Sequence, residues 1–451
     1  MQFDPAEALY AAPLAVIWFL YERARRRESA RSLEAKTASV ESGRHEPASL
    51  HPHIDPGKCM GCGACVSACP EGDILGIINQ RSELIEPSSC IGHGACMAAC
   101  PFDAISLVFG TATRGVDLPI VDANFQTNVP GVYIAGELGG MGLIRNAIEQ
   151  GRQAVDAISK RPLAKSPGAK SPGAGSFSPD GGMLDLVIIG CGPAGFSASL
   201  AALERGLSFK TFDQESLGGT VAHFPRGKIV MSRPAVLPMV GEVKLDRSTK
   251  EDLLDFWTAI QQKTGLTIHF KEGVEAVSSL GHPGQGFEIK TVRGSYRARA
   301  VLLTIGRRGS PRKLDVPGED LPHVVYRLID AEQYRRQHVV VVGGGDSAIE
   351  AAVSIAEQPG TTVTLSYRGS VLARCKAQNR ATIEDLVAKG RITALLGSTV
   401  LAMTPRSVEI EHRGRVQKVP ADAVIICAGG VLPSGFLRTI GIDIETKYGT
   451  S

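Results

Sequence analysis

The amino-acid sequence predicts an α/β protein of several domains: two parallel-sheet units, a small α+β module and an apolar helix at the start. Three observations carry this. Two segments, 184–213 and 339–366, each read as buried strand, glycine turn, helix and second strand. Seven of the ten cysteines lie between Cys59 and Cys100, in two short runs. Ahead of both, Ala8 to Tyr21 is an apolar and aromatic stretch. At 451 residues the chain exceeds one domain of roughly 100–200 residues. Hydrophobic content of 43% with 21% charged residues is that of a core-forming protein, and a net charge of +3 argues against a nucleic-acid partner. Clustered cysteines indicate metal ligation, not a disulfide framework, and hence a reducing compartment.

In order, Ala8 to Tyr21 is followed by Glu22 and then Arg23, Arg25, Arg26 and Arg27. Fourteen apolar residues fall short of the roughly 18–20 that span a bilayer comfortably. The positive charge follows the run, opposite to a signal peptide, and suits a cytoplasmic C-terminal side. The expectation is a short membrane anchor or interfacial helix over 8–21, with the protein on the cytoplasmic face of the membrane. The alternative is a docking helix that packs on the protein itself, which would then be cytoplasmic. Arg31 to His53 is polar with breakers and reads as a tether, so 1–50 forms an anchor and basic tether.

Cys59 to Pro70 runs C-M-G-C-G-A-C-V-S-A-C-P, and Cys90 to Pro101 runs C-I-G-H-G-A-C-M-A-A-C-P. Thiolates at this spacing wrap a cluster more readily than they pair as disulfides, although a zinc site is a second reading. The first run resembles bacterial ferredoxins with two [4Fe-4S] clusters, C-x2-C-x2-C-x3-C-P. The resemblance implies a ferredoxin-like α+β domain over 51–110, in which Cys59, Cys62, Cys65 and Cys100 hold one cluster. Cys90, His93, Cys96 and Cys69 would hold the other. His93 stands where a thiolate is expected, and as a ligand it should raise that cluster's potential. A three-iron cluster with His93 nearby, or no second cluster, are the alternatives.

Residues 111–160 contain Thr127-Asn128-Val129-Pro130-Gly131, a short strand from Val132, Gly136-Glu137 and an amphipathic helix ending before Arg161. Gly136 lets backbone approach a ligand, and the Glu137 carboxylate can accept a sugar hydroxyl. Residues 161–182, with two copies of K-S-P-G-A, form a linker by composition. Leu184 to Ile189 then enters G-C-G-P-A-G, with Gly190, Gly192 and Gly195 in the dinucleotide frame, and Asp213 closes the second strand. A strand before, a helix after and an acid about 20 residues on complete the fingerprint. Gly218 and Gly219 follow in S-L-G-G-T.

The second fingerprint, Val339 to Ala348, places Gly343, Gly345 and Ala348 in frame. Its second strand, Thr362 to Ser366, ends without an acid, and Arg368 and Arg374 follow. That combination favours a 2'-phosphate, hence NADPH over NADH. Two hinge-like strands, Leu302 to Arg307 and Ile425 to Gly430, bracket this unit, giving domains 183–311, 312–427 and 428–451.

Together these motifs resemble flavoproteins of the thioredoxin reductase type: two Rossmann-like dinucleotide-binding domains, one for FAD and one for NAD(P). In that family the T-x-x-P-G, strand and Gly-acid corner comes last and covers the flavin. Here it comes first, so the resemblance implies circularly permuted order, with a swapped homodimer as the rival arrangement. The family's C-x-x-C pair is missing: Gly343 to Val416 contains only Cys375. The implied activity is an NAD(P)H-dependent FAD oxidoreductase passing electrons through two iron–sulfur clusters to an acceptor protein or quinone, or the reverse. No side chain need act as a catalytic acid, base or nucleophile. A low-molecular-weight thiol or disulfide reductase using Cys191 or Cys375, and a non-catalytic redox sensor or electron-transfer subunit, are the alternatives.

Overall fold

The structure, a computed structural model, describes residues 5–47, 50–140, 142–160, 182–230, 234–244, 248–281, 284–307, 309 and 311–449. The linker expected at 161–182 therefore falls, except for its last residue, outside the described residues. The chain divides into two compact units. One comprises Met1–Val116, Val371–Arg380 and Lys447–Ser451, and the other Asp117–Ser370 and Ala381–Thr446.

In the first unit a single helix runs Pro5–Glu41. This corrects the tether expected from Arg31. Residues 22–41 contain neither Gly nor Pro, and the polar side chains at 25, 29, 32 and 36 recur at helical spacing. They are bonded, not merely solvated. Arg25 donates to the Gly61 carbonyl at 3.4 Å, Ser29 Oγ accepts the Asn79 N–H at 3.1 Å, and Lys36 pairs with Glu83. Ser32 lies so close to Gly76 that a Cβ there would sit 2.6 Å from its Oγ. The breakers act only at Ser42-Gly43, where the helix stops. Leu14 and Val16 to Tyr21 are exposed. Among the described residues no helix is long and apolar enough to cross a membrane, so the structure does not support an anchor at 8–21.

The rest of this unit is a small α+β module. Strand His51–Ile54 pairs antiparallel with Ile105–Val108, and Leu75–Ile78 forms a hairpin with Arg81–Leu84. Each cysteine run turns through a left-handed glycine, Gly63 or Gly94, into a one-turn helix, Ala64–Ser67 or Ala95–Ala98. Leu75, Ile105, Cys65 and Cys96 form its core.

The second unit is built around two large sheets. In the first, Leu184–Ile189 lies between Phe209–Phe212 and Ser295–Leu303, parallel to both, and the antiparallel strands Phe287–Thr291 and Val274–Ser279 extend it. Val132–Ile134 joins this sheet from outside its sequence order. It pairs parallel with the end of Ser295–Leu303, Val132 opposite Val301 and Ile134 opposite Leu303. An uninterrupted apolar run suits a strand buried on both faces, and these three residues are at most 2% exposed. The following helix, Ile144–Lys160, packs on Pro193–Glu204. Gly151 makes the crossing close, since a Cβ there would lie 2.1 Å from the Ala194 carbonyl oxygen. Asp156 also pairs with Arg205. Within the chain, Val132–Ile134 thus lies in the same sheet as Leu184–Ile189.

The second sheet is built from contiguous sequence. Its five strands are all parallel, ordered Val324–Val325, Ala423–Ile426, His338–Val342, Thr362–Tyr367, Ile392–Leu396, and an antiparallel meander spans 398–420. The chain passes between sheets through two adjacent connections, bridged at Pro311 and Gly430, with the Arg312 N–H on the Gly429 carbonyl at 2.9 Å. Helix Ser434–Ile440 then returns Leu437 and Ile442 to the first sheet's core.

Candidate functional site

The cysteine runs line two small cavities, and the cavities sort the eight expected ligands into two sets of four. One is lined by Cys59, Cys62, Cys65 and Cys100. The other is lined by Cys69, Cys90, His93 and Cys96. The last cysteine of each run thus crosses to the other run's cavity, as the resemblance implied. Among the described residues no group of three or more His, Cys, Asp or Glu closes tightly enough for a single metal ion. Four cysteines in one cavity, and three with a histidine in the other, are donor sets that an iron–sulfur cluster accepts. Burial pushes the thiols of Cys65, Cys69 and Cys96 upward and that of Cys90 up to about 11. Loading a metal must therefore expel protons. His93 Nδ1 accepts the Ala95 N–H at 3.2 Å, which puts the proton of a neutral imidazole on Nε2. Ligation at either nitrogen would displace that proton or that hydrogen bond.

At the first dinucleotide turn, Gly190 has φ +99°, and a Cβ on Gly195 would lie 1.9 Å from the Gly190 carbonyl oxygen. Only glycine permits this helix-on-strand contact. Thr304 fixes the neighbouring strand end, its hydroxyl donating to the Gly190 carbonyl at 2.7 Å. Gly192 caps the helix, facing the Gly218-Gly219 loop, whose Gly218 N–H bonds to the Cys191 carbonyl at 3.0 Å. Asp213 is buried at the end of its strand. Burial pushes its carboxyl above the usual range, while the N–H groups of Glu215 and Cys191 pull it back. Those bonds measure 2.7 and 2.6 Å. Gly136, at φ +85°, abuts the same helix start, where a Cβ would lie 2.9 Å from that of Ala194, and its N–H donates to Gln150 Oε1 at 2.8 Å. Glu137 follows, half-buried, and is one of the charges acting on Arg307. Gly136, Glu137, Gly190, Gly192, Gly195, Asp213, Gly218 and Gly219 therefore all fall in one unit. The helix N-terminus, the bare glycine backbone and the buried acid form a cradle of the kind FAD needs.

At the second turn, Gly343 has φ +144°, and Gly345 caps helix Asp346–Ala356. A Cβ on Gly345 would meet nothing within 4 Å, so space above the helix N-terminus is open for a pyrophosphate. Ala348 is fully buried, while Tyr367 stacks so closely on Gly344 that a Cβ there would lie 2.5 Å from its ring. Arg368 is exposed in this unit. Arg374, also exposed, belongs to Val371–Arg380, which clusters with the other unit. Buried Arg380 holds that segment through the Leu372 and Cys375 carbonyls, each at 3.1 Å. Cys191 and Cys375 are fully buried.

Sequence reasoning missed Ser82, Gln150 and Arg307. Their roles lie in contacts 14 or more residues away in the chain, which no local pattern announces.

Residues 187–449, more than half of the chain, match the family model described as pyridine nucleotide-disulphide oxidoreductase. Residues 51–101 match a 4Fe-4S dicluster domain. The chain is 27% identical over 281 residues to a ferredoxin–NADP reductase of Ignicoccus hospitalis, covering 59% of this chain and 83% of that protein. It is 24% identical over 269 residues to the bacilliredoxin reductase Bdr of Bacillus subtilis, covering 58% and 82%. Among solved structures, the bacillithiol disulfide reductase Bdr (YpdA) of Staphylococcus aureus aligns with TM-score 0.52 and 25% identity, over 58% of this chain and 81% of that one.

Proposed function

The chain belongs to the pyridine nucleotide-disulphide oxidoreductase family and is an NAD(P)H-dependent flavoprotein oxidoreductase with an iron–sulfur domain, and from that premise we propose that its dicluster domain is its electron outlet. Bound flavin takes a hydride from NAD(P)H as an electron pair, and clusters carry electrons singly. The observation that carries the reading is the pair of cavities, each ringed by four crossed ligands, on a chain whose other thiols offer no exposed pair. Several relatives are named ferredoxin–NADP reductases. Here the attached domain takes the place of a separate ferredoxin and exchanges electrons with an acceptor or donor protein or a quinone.

The residues divide the work. Gly190, Gly192, Gly195, Gly218 and Gly219 give the FAD pyrophosphate a bare backbone, Asp213 holds the adenosine ribose, and Gly136 with Glu137 covers the ribityl chain. Gly343, Gly345 and Ala348 seat the nicotinamide dinucleotide, and Arg368, with Arg374, selects the 2'-phosphate of NADPH. His93 completes the second cluster's ligand set. Residues 111–160 are the flavin domain's last part in circularly permuted position: they precede the family match at 187–449 yet supply a strand to its sheet.

The test is anaerobic addition of NADPH to protein with counted flavin, iron and sulfide. Eight irons and one flavin per chain are expected, with the flavin absorbance bleaching first and the broad iron–sulfur absorbance following. Clusters that NADPH never reduces would overturn the outlet. Changing His93 to Cys should lower one cluster's potential with the iron count kept, and an unmoved potential would make His93 a bystander.

A second reading, a disulfide reductase, is favoured by the names of the Bdr relatives. Against it, burial pushes the Cys191 thiol well above its ordinary range, and Cys375 is equally enclosed. NADPH-driven reduction of a disulfide that is lost in C191S or C375S would restore this reading.

A further inference from the structure

The first cavity carries a buried hydroxyl that the second lacks. Ser82 lines the first cavity from strand Arg81–Leu84 and is 4% exposed. Its Oγ lies 3.1 Å from Cys65 Sγ, and its N–H points at Cys59 Sγ at 3.4 Å. One residue therefore touches two of the four sulfurs. The lining of the second cavity contains no Ser or Thr among the described residues; N–H donors reach the cysteines of both cavities, from Glu71, Gly92 and Met97 in the second and from Val66, Ser82 and Ala104 in the first. With Cys65 a free thiol, either group could hold the shared proton. As a ligand Cys65 is a thiolate with none, so the hydroxyl must donate.

On the reading that the first cavity holds a cluster, we propose that Ser82 is the positioning residue that raises this cluster's potential by donating its hydroxyl to Cys65. Reduction adds one electron to the cluster, and part of that charge falls on the ligand sulfurs. An O–H donor stabilises the reduced form more than the oxidised one, which shifts the couple upward. No proton is transferred and no bond breaks. Where the second frame exchanges a thiolate for His93, the first keeps four thiolates and adds this donor. The two substitutions act in the same direction, so the clusters are held nearer in potential than an all-thiolate frame without Ser82 would allow, which suits an outlet that passes electrons between them.

The experiment is an EPR-monitored redox titration of the full reconstituted chain with S82A and S82T. S82A is expected to lower the potential of one cluster and leave the other in place, and S82T, which keeps the hydroxyl, should stay at the wild-type value. Unmoved potentials in S82A, equal shifts of both clusters, or an S82T that behaves like S82A would overturn the assignment. If S82A does not retain its iron, the wild-type protein decides. After brief exposure to D2O, which labels hydroxyls before buried amides, pulsed EPR of the reduced protein should find a coupled deuteron on one cluster. No such deuteron would equally overturn it. A wild-type chain without two clusters defeats the cluster reading itself, whereas eight irons with unmoved potentials defeat only the role of Ser82.

Discussion

The two largest sheets of the larger unit solve the same problem in different ways. The nicotinamide-side sheet takes all five strands from 324–426, so its register follows from short connections. The flavin-side sheet closes only with Val132–Ile134, drawn from 50 residues before its own first strand at Leu184. The turn chemistry is alike in both, with glycine at the strand end and a helix N-terminus above it. What differs is the sequence distance over which the sheet is assembled. A ligand turn can be local while the strand that makes its domain whole is remote.

The sharpest way to break this comparison is truncation. Removing residues 1–110 should leave a protein that retains FAD and oxidises NADPH slowly, because both sheets survive. Removing 1–160 should abolish FAD retention. It strips Val132–Ile134 from the edge of Ser295–Leu303 and Ile144–Lys160 from its packing on Pro193–Glu204. Burying one Val or Ile contributes about 1.5–3 kcal/mol, and this change uncovers several such side chains at once. Flavin content by absorbance decides it, and full occupancy in 161–451 would reduce 129–151 to an ordinary strand–helix corner.

Next in size is a matched pair of glycine changes. G195V should destroy the flavin domain, since any Cβ there runs into the Gly190 carbonyl. G345V should fold and keep FAD, because its Cβ meets nothing, while the bulk fills the space above the second helix and blocks the nucleotide. Circular dichroism and FAD content separate the two. An intact, flavin-loaded G195V would contradict the close helix contact.

Both turns were legible in the sequence because strand, glycine and helix N-terminus lie within ten residues of one another. The cysteine frames were legible for the same reason, and the exchange of Cys69 and Cys100 came from the resemblance. Long-range partners were not legible. Nothing local says that Val132 meets Val301, that Ser82 meets Cys65, or that residues 25–36 lie along the Leu75–Leu84 hairpin. That last stretch read as a tether because its polar residues looked solvated, whereas several of them bond to that hairpin. The run at 8–21 read as an anchor from its apolar composition and the arginines that follow it.

A smaller effect probes the nicotinamide side alone. Replacing Arg368 and Arg374 together with Ala should raise KM for NADPH by at least about tenfold with little change for NADH, each charged hydrogen bond to phosphate contributing about 1.5–3 kcal/mol. A wild-type enzyme that already prefers NADH would remove the basis for this assignment.

The smallest change asks whether the remote segment contributes chemistry as well as packing. Glu137 follows Gly136 at the end of Val132–Ile134, and its charge acts on half-buried Arg307, whose guanidinium burial pulls down while Glu137 and Asp117 push it up. Arg307 also donates to the Asp117 carbonyl at 3.1 Å, so the carboxylate does not hold it alone. Removing Glu137 should therefore leave the fold intact and act mainly on the ligand. If the carboxylate accepts a ribityl hydroxyl, E137A loses a charged acceptor and FAD should bind more weakly by about 1–3 kcal/mol. E137Q keeps a neutral acceptor and should lose less, about half as much if charge assistance roughly doubles the bond. Titration of the apoprotein with FAD, followed by flavin fluorescence, measures both. Equal losses in E137A and E137Q would assign the effect to the charge facing Arg307. No loss in either would leave the segment as packing alone, with the sheet closed from a distance and the ligand held entirely by the local turn.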